Sequence, residues 1–216
     1  KPKITAIVIT HGHGDHTGGL DRIHEVMQAP VRCHPKLVKH LQKLLDDEDA
    51  VVALKSRERI VTGGGVGLRA LFTPGHEVDH VCYYLREDRV MFTGDTVLGA
   101  SSTSVGDLAA YMKSLELLTK FKHDTICPAH GPVVPAPRGA NLVRWQYEHR
   151  MGRERQVVAA LEKGISEVSK ITSDMYPKNL KKGLRPSAER NVNTHLRKLI
   201  KEESVEETPA RFTLKN

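Results

Sequence analysis

Short apolar runs alternate with polar segments through the first two thirds of the chain, a pattern typical of buried strands joined by helices. Apolar positions within 4–9 predict a first strand, and the spacing within 20–27 predicts a helix after the next loop. Further strands are predicted at 31–33, 66–72, 81–85, 89–92 and 124–127. Further helices are predicted at 36–45 and at 107–120, where Asp107 is the expected N-cap. The mixture indicates a layered α/β domain.

The pattern changes after a proline-rich loop at 132–137. Beyond it, the spacing predicts one long helix over 142–162 and two shorter helices over 167–175 and 187–201. Three helices of this kind are typical of a helix-turn-helix or winged-helix module. The alternative is a plain helical appendage that packs on the core or on a second copy of the chain, as in a homodimer.

We therefore divide the chain into three parts, 1–137, 138–204 and a tail at 205–216. Basic and acidic residues balance within the first part, so the whole net charge of +7 lies in the other two. Within 176–201, the only acidic residue is Glu189. A concentration of positive charge favours phosphate-rich partners. Single-stranded RNA is the predicted partner, and the candidate contacts are Lys181, Lys182 and Arg197.

Cysteine content and hydropathy limit where the protein can work. The chain has three cysteines at wide spacing, Cys33, Cys82 and Cys127, which form no disulfide framework and favour a reducing compartment. No apolar run approaches 18 residues, so the sequence predicts no membrane span. These features predict an intracellular protein.

The loop after the first predicted strand contains an unusual concentration of metal-binding residue types. His11, His13, Asp15 and His16 fall within six positions and are interleaved with glycines. Imidazole and carboxylate groups are ligands for Zn²⁺ and related divalent ions. Glycine lets the backbone turn tightly enough to direct several side chains at one point. The loop therefore predicts a metal site.

Three later loops repeat the arrangement of a strand, then glycine or proline, then a ligand residue. They supply His76, Asp95 and His130. With the first loop, they bring the number of candidate ligands to seven, enough for two metal ions that share a bridging group.

Residues 76–80, His-Glu-Val-Asp-His, formally match the zincin pattern, which requires both histidines on one face of a helix. The strand predicted at 81–85 follows immediately, so we reject that assignment. His80 is then a neighbour of the metal site, either facing the substrate, supporting a ligand or serving the fold; we group it with the candidate substrate-binding residues.

His11, His13, Asp15, His16, His76, Asp95 and His130, in this order, resemble the ligand pattern of the metallo-β-lactamase superfamily. The resemblance implies an αββα sandwich with the site at one rim between two sheets. It also implies that His11, His13 and His76 hold one zinc ion. Asp15, His16 and His130 then hold a second ion, and Asp95 bridges the two. Asp15 and Asp95 are the expected catalytic carboxylates.

Segments 73–76, 92–95, 128–132 and 193–199 are similar to the β-lactamase-like protein 2 group, which includes a mitochondrial endoribonuclease. This resemblance implies two Zn²⁺ per chain and cleavage of single-stranded RNA by metal-activated hydroxide, in the mitochondrial matrix or the cytoplasm. One alternative is a thioester hydrolase of the glyoxalase II or acyl-carrier thioesterase kind. Another is a metal-stabilised nucleic-acid binder without activity.

The sequence departs from the family at its start. Members normally carry some tens of residues, including several strands, before the first metal loop, whereas here one predicted strand precedes it. We therefore expect the catalytic domain to lack its first strands, which would leave one sheet with an open edge.

Overall fold

The computed structural model describes residues 3–208 and 211–214, without the side chains of Lys182, Arg211, Thr213 and Leu214. Its strands are β1 (Ile7–Val8), β2 (Val31–Cys33), β3 (Val51–Ala53), β4 (Arg59–Val61), β5 (Gly67–Phe72), β6 (Val81–Leu85), β7 (Val90–Gly94), β8 (Thr125–Pro128), β9 (Val205–Thr208) and β10 (Arg211–Leu214). Its α-helices are α1 (Gly14–Thr17), α2 (Leu20–Met27), α3 (Val38–Leu45), α4 (Leu108–Thr119), α5 (Arg138–Glu162), α6 (Val168–Met175) and α7 (Arg185–Lys201).

Two sheets form the centre of the first domain. In one, β1, β2 and β3 run parallel in that order. In the other, β4 to β8 follow chain order, with antiparallel pairs as far as β7 and a parallel pair between β7 and β8. The fold is therefore a sandwich with helices outside both sheets, as predicted from the sequence.

The alternation of side chains along β6 shows how the layers are held together. Val81 and Tyr83 face the small sheet, where they pack with Leu54, and the Tyr83 hydroxyl donates to the carbonyl of Ile9 at 2.7 Å. Cys82 and Tyr84 point the opposite way, into a core shared with α4 and α5. Because both faces of this strand are buried, its sequence is a continuous apolar run.

The first strand of the small sheet is shorter than the sequence predicts, whereas β2 spans the predicted residues 31–33. Within the described chain, the predicted strand over 4–9 pairs with β2 at Ile7 and Val8. The sequence does not predict strands β3 and β4. The outer face of the small sheet is covered by α2 and α3.

Helix α4 begins where the sequence predicts, with the Asp107 carboxylate accepting from the amide of Ala110 at 3.0 Å. Helix α5 begins at Arg138, four residues earlier than predicted, directly after Pro137. Its first half packs on the five-stranded sheet, and its second half belongs to a separate core with α6 and α7. This one helix therefore joins the two domains.

The C-terminal domain is a helical unit completed by a hairpin. Strands β9 and β10 pair antiparallel within the segment 205–216, which the sequence analysis treats as a tail. Val205 is buried in the helical core and Phe212 packs against it, so the hairpin is the wing of the winged-helix unit. Glu154 of α5 also holds α7, through Lys198 at 2.7 Å and His195 at 3.3 Å. In the described chain, no helix is both long and apolar enough to cross a membrane.

Candidate metal centre

Four loops meet at one rim of the sandwich because of the direction of their strands. Strand β6 runs antiparallel to both its neighbours, and β8 runs parallel to β7, so β5, β7 and β8 share a direction. Their carboxyl ends therefore lie at one edge of the sheet. His76, Asp95 and His130 follow these strands, and the loop after β1 approaches the same edge from the small sheet.

Two glycines are required for the loops to approach so closely. Gly75 has φ +140°, and a Cβ at this position would lie 2.4 Å from the Cα of Tyr111 in α4. Gly94 has φ +48°, and its Cβ would lie 2.6 Å from the Nε2 atom of His80. Any other residue would push the loops of His76 and Asp95 outward.

The first ligand group comprises His11, His13, His76 and Asp95. The Nδ1 atom of His13 lies 3.0 Å from the Nε2 of His11 and 3.2 Å from the Nε2 of His76. The Oδ2 atom of Asp95 lies 3.6 Å from the same His76 nitrogen. A tetrahedral zinc site with Zn–N distances of about 2.0–2.1 Å has ligand atoms roughly 3.4 Å apart, so this spacing fits one ion.

The second group comprises Asp15, His16 and His130. The Nε2 of His130 lies 3.0 Å from the Oδ2 of Asp15, and the Nε2 of His16 lies 3.7 Å from it. The other oxygen of Asp95, Oδ1, is 3.6 Å from His16 and 3.5 Å from His130. Asp95 therefore turns one oxygen to each group, the arrangement expected of a bridging carboxylate.

The hydrogen bonds around His13 and His76 support a cation between them. His13 donates from Nε2 to the Glu77 carboxylate at 3.0 Å, and His76 donates from Nδ1 to the carbonyl of Ser104 at 2.8 Å. Each ring then has its lone pair on the remaining nitrogen, and these two nitrogens lie 3.2 Å apart with no hydrogen to share. A bound metal ion would remove that repulsion.

Two buried atoms on the side of the second group also indicate that a cation binds there. His16 Nε2 and Asp95 Oδ1 are buried and have no hydrogen-bond partner in the described structure. A buried polar atom without a partner is costly, and coordination to an ion would satisfy both atoms. The residues present thus fit a pair of divalent metal ions.

The electrostatics hold the ligands in the protonation states that metals require. Burial, together with the neighbouring histidines, lowers the pKa of His11 to about 3, and burial also lowers the pKa of His16. A hydrogen bond from its own backbone amide lowers the pKa of Asp15. Neutral imidazoles and ionised carboxylates are the forms that bind divalent ions.

Glu77, Ser104 and Thr10 orient the ligands, although no sequence motif identifies them. Glu77 and Ser104 fix which nitrogen of His13 and His76 faces the centre. The Thr10 hydroxyl lies 3.2 Å from the Nδ1 atoms of both His11 and His16. Partners of this kind commonly fix the orientation of metal-bound histidines. Glu77 is the residue adjacent to His76 in the zincin-like segment, but nothing in its spacing to His13 indicates the contact.

The assignment of His80 to substrate binding is corrected by its position. Its side chain is fully buried, and its Nε2 accepts from the backbone amide of Asp95 at 3.1 Å. Its Nδ1 donates to the Thr73 hydroxyl at 2.9 Å. With both nitrogens engaged inside the fold, His80 positions Asp95 and does not reach the surface that a substrate contacts. The segment 76–80 is a turn and not a helix, so the zincin pattern is coincidental.

The predicted RNA contacts lie on the C-terminal domain. Lys181 and Arg197 are exposed, and the side chain of Lys182 lies outside the described residues. Arg197 lines a cavity that also includes residues 102–105, the loop that contains Ser104. The predicted basic segment thus borders the loop that supports His76. A second cavity, of about 330 Å³, is lined in part by His13 and Glu77.

Comparisons with known proteins agree with this architecture. The family model of the metallo-beta-lactamase superfamily matches residues 1–130, and that of the beta-lactamase associated winged helix domain matches 168–211. The chain is similar to the beta-lactamase-like protein 2 homolog of Caenorhabditis elegans, with 34% identity over 94% of this chain and 67% of that protein. It is also similar to an atrochrysone carboxyl ACP thioesterase of Aspergillus chevalieri, with 34% identity over 85% of this chain and 60% of that protein. The chain thus spans about two thirds or less of these relatives' lengths.

Two solved structures share the fold across both domains. A metallo-beta-lactamase family protein from Thermus thermophilus aligns with a TM-score of 0.71 and 20% identity, covering 98% of this chain and 80% of that one. A beta-lactamase domain protein from Burkholderia ambifaria aligns with a TM-score of 0.74 and 19% identity, covering 98% and 74%. At this level of identity, the likeness concerns the fold alone.

Proposed function

The chain belongs to the metallo-β-lactamase superfamily, and from this premise we propose that it is a dinuclear zinc hydrolase that cleaves single-stranded RNA. The observation that carries the hydrolase proposal is the position of Asp95, whose two oxygens face two separate ligand groups. The RNA proposal is supported by the basic helix α7, which borders the loop that holds His76.

The exposure of the ligands defines the side from which a substrate would approach. The side chains of His13, Asp15 and His130 are 43%, 59% and 47% exposed, whereas those of His76 and Asp95 are 4% and 11% exposed. The open side of the centre therefore presents Asp15 and His130 to solvent. Two bound divalent ions would supply a nucleophile at neutral pH, by lowering the pKa of water, and would offset charge on the attacked group.

Asp15 is placed to move a proton on this open side. Its carboxylate is the most exposed of the ligand groups named above, and it is ionised at neutral pH, as an aspartate normally is. An ionised carboxylate beside the attacking water would accept its proton as the water attacks phosphorus. The leaving 3′- or 5′-oxygen would then be protonated from solvent, which the exposed rim admits.

Glu77, Ser104 and His80 would hold this arrangement in place. Glu77 and Ser104 fix the rings of His13 and His76, and His80 fixes the backbone at Asp95. Positioned groups of this kind lower the cost of reorganisation during the reaction. The buried ligands would therefore be held rigidly while the exposed ones meet the substrate.

Hydrolysis of an acyl thioester is the second candidate function. It is favoured by the similarity to a relative described as an atrochrysone carboxyl ACP thioesterase, at 34% identity. The same pair of ligand groups would serve it, because a thioester carbonyl also develops negative charge when water attacks. The two candidates therefore differ in what the rest of the molecule binds and not in the centre itself.

The test offers both substrates to the same preparation. The zinc-loaded protein is incubated with an unstructured, end-labelled oligoribonucleotide and, separately, with an acyl-coenzyme A. We expect RNA cleavage that stops on addition of EDTA and returns with Zn²⁺. Turnover of the thioester with intact RNA would overturn the RNA proposal and leave the hydrolase proposal standing. If a preparation that contains two zinc ions per chain shows neither activity, the RNA proposal and the hydrolase proposal are both overturned.

A further inference from the structure

A polar groove separates the metal-supporting loop from helix α7. It has a volume of about 470 Å³ and is lined by residues 102–105 on one side. The opposite side consists of Ser187, Arg190, Asn191, Asn193, Thr194 and Arg197, all from α7. These positions follow the i, i+3, i+4, i+7 spacing of one helix face. No acidic residue lines the groove in the described part of the chain.

The two arginines of the groove differ from the other basic residues of α7. Arg185 pairs with Glu189, Lys198 pairs with Glu154 and Glu202, and Lys201 pairs with Asp107. Arg190 donates to the hydroxyl of Ser187 at 2.8 Å, and its guanidinium has no carboxylate partner among the described residues. Arg197 is exposed and likewise has no carboxylate partner there. Positive charge in the groove is therefore left free for an anionic ligand.

The wall opposite these arginines is the loop that supports His76. The Ser104 carbonyl accepts from His76 at 2.8 Å, and the Thr103 hydroxyl lies 3.1 Å from the same Nδ1 atom. Arg150, which is buried in α5, joins the two walls by donating to the carbonyl of Thr103 at 3.2 Å and to the side chain of Asn191 at 2.9 Å. A ligand in the groove would thus lie beside the loop that supports a metal ligand.

From this placement we propose that the groove binds the phosphodiester backbone of single-stranded RNA beside the loop that supports His76, with Arg190 and Arg197 as the phosphate contacts. This inference rests on the proposed function and adds a binding site for the substrate. Arginine forms two-pronged hydrogen bonds with phosphate oxygens, and asparagine and threonine side chains add neutral contacts to sugar and phosphate.

The spacing of the arginines favours a chain of phosphates over a single one. Arg190 and Arg197 are seven residues apart, which corresponds to about 10 Å along the helix axis. Two anionic groups that far apart are a property of an extended nucleic acid strand. The arm of an acyl carrier has one phosphodiester and would leave one arginine without a partner.

The test measures RNA binding separately from RNA cleavage. Binding of a fluorescent 12-nucleotide single-stranded RNA is measured with full-length protein carrying Asp95→Asn, so that the RNA stays intact. Adding Arg190→Gln and Arg197→Gln should weaken binding at least tenfold at low salt, and the slope of log K against log salt should become shallower by about 1.4, the value for two lost phosphate contacts.

The matched control replaces two exposed arginines outside the groove, Arg22→Gln and Arg86→Gln, which have no ion-pair partner among the described residues. It removes the same charge and should leave the affinity within twofold of the parent protein and the salt slope unchanged. Circular dichroism checks that each variant is folded, and Arg190→Lys with Arg197→Lys should restore most of the salt slope.

Equal losses in the groove variant and the control would overturn the groove as the binding site, even where RNA is cleaved by the wild type. If the wild type cleaves no RNA but hydrolyses acyl-coenzyme A, the proposed function fails. In that case, a raised KM for acyl-coenzyme A in the groove variant, with unchanged affinity for RNA, would assign the groove to the phosphates of coenzyme A and overturn this proposal.

Discussion

The metal centre and the groove share the loop 102–105, yet they hold their polar groups in opposite ways. In the centre, His76 and Asp95 are buried. His76 donates a hydrogen bond to the carbonyl of Ser104, and the backbone amide of Asp95 donates to His80, neither of which is a ligand. In the groove, Arg190 and Arg197 are exposed and have no carboxylate partner in the described structure. The comparison separates a set of polar groups that the fold holds in place from a charged surface whose partners must come from outside the described chain.

The two regions also depend on different parts of the fold. The ligand loops follow strands of the sandwich, so their geometry depends on the core of the first domain. The groove depends on α7, which packs in a separate core and contacts the first domain through Arg150 of α5, which donates to Asn191, and through the ion pair between Lys201 and Asp107. If the groove binds the substrate as proposed, exchanges at its α7 positions would change what is bound while the ligand loops keep their own supports.

Removing the bridge between the ligand groups should have the largest effect. Asp95→Asn replaces a charged bridging group with a neutral amide, so at least one ion should be lost. We expect kcat/KM to fall by about 10³-fold or more, since such ions contribute several kcal/mol to the transition state. Asp88→Asn, at an exposed acidic position, is the control and should retain full activity and metal content. Retained activity in the Asp95 variant would point to a contaminant or to a different site.

A smaller effect should follow from weakening the hydrogen bond between His13 and Glu77. Glu77→Gln keeps an oxygen at 3.0 Å but removes the charge that favours the Nε2–H form of His13. Zinc affinity, measured by competition with a chelator, should fall by roughly 10- to 100-fold. Glu25→Gln, at an exposed position on α2, should leave it unchanged. Equal affinities in the two variants would show that Glu77 does not orient His13.

The third expected effect is on stability and not on metal binding, and it concerns the link between the two regions. Arg150→Met removes the donors to Thr103 and Asn191 but keeps a long apolar side chain in a position that is 3% exposed. The unpaired acceptors should lower the free energy of unfolding by about 1–3 kcal/mol in urea denaturation. Arg155→Met, exposed on the same helix, should change it by less than about 0.5 kcal/mol. Equal stabilities would mean that the domains are held together without Arg150.

The ligand loops could be predicted from the sequence because each combines a strand signal with a glycine or proline and a ligand residue. The superfamily and the fold class inferred from them are confirmed. The number and identity of the ions, the RNA partner, a homodimer and the cellular location stay predictions.

Other features could not be predicted, for reasons that are physical. Glu77 reaches His13 across 64 positions, and such a contact has no local period. Arg150 has the residue type of a surface position, and its burial follows from the meeting of two domains. His80 lies in a segment rich in polar residues, yet the loops of Thr73 and Asp95 enclose it. Strand β9 of the hairpin has one apolar residue, the buried Val205, followed by three exposed polar residues, so it shows neither an apolar run nor an alternation.

The central claim is a pair of zinc ions bridged by Asp95, and its most direct test is the zinc stoichiometry of the protein. The metal-free protein is titrated with Zn²⁺ in a calorimeter, and bound zinc is measured after gel filtration. The account predicts two zinc ions per chain in the wild type and one or none in Asp95→Asn. Saturation of the wild type at a single ion, or two ions retained without Asp95, would contradict it.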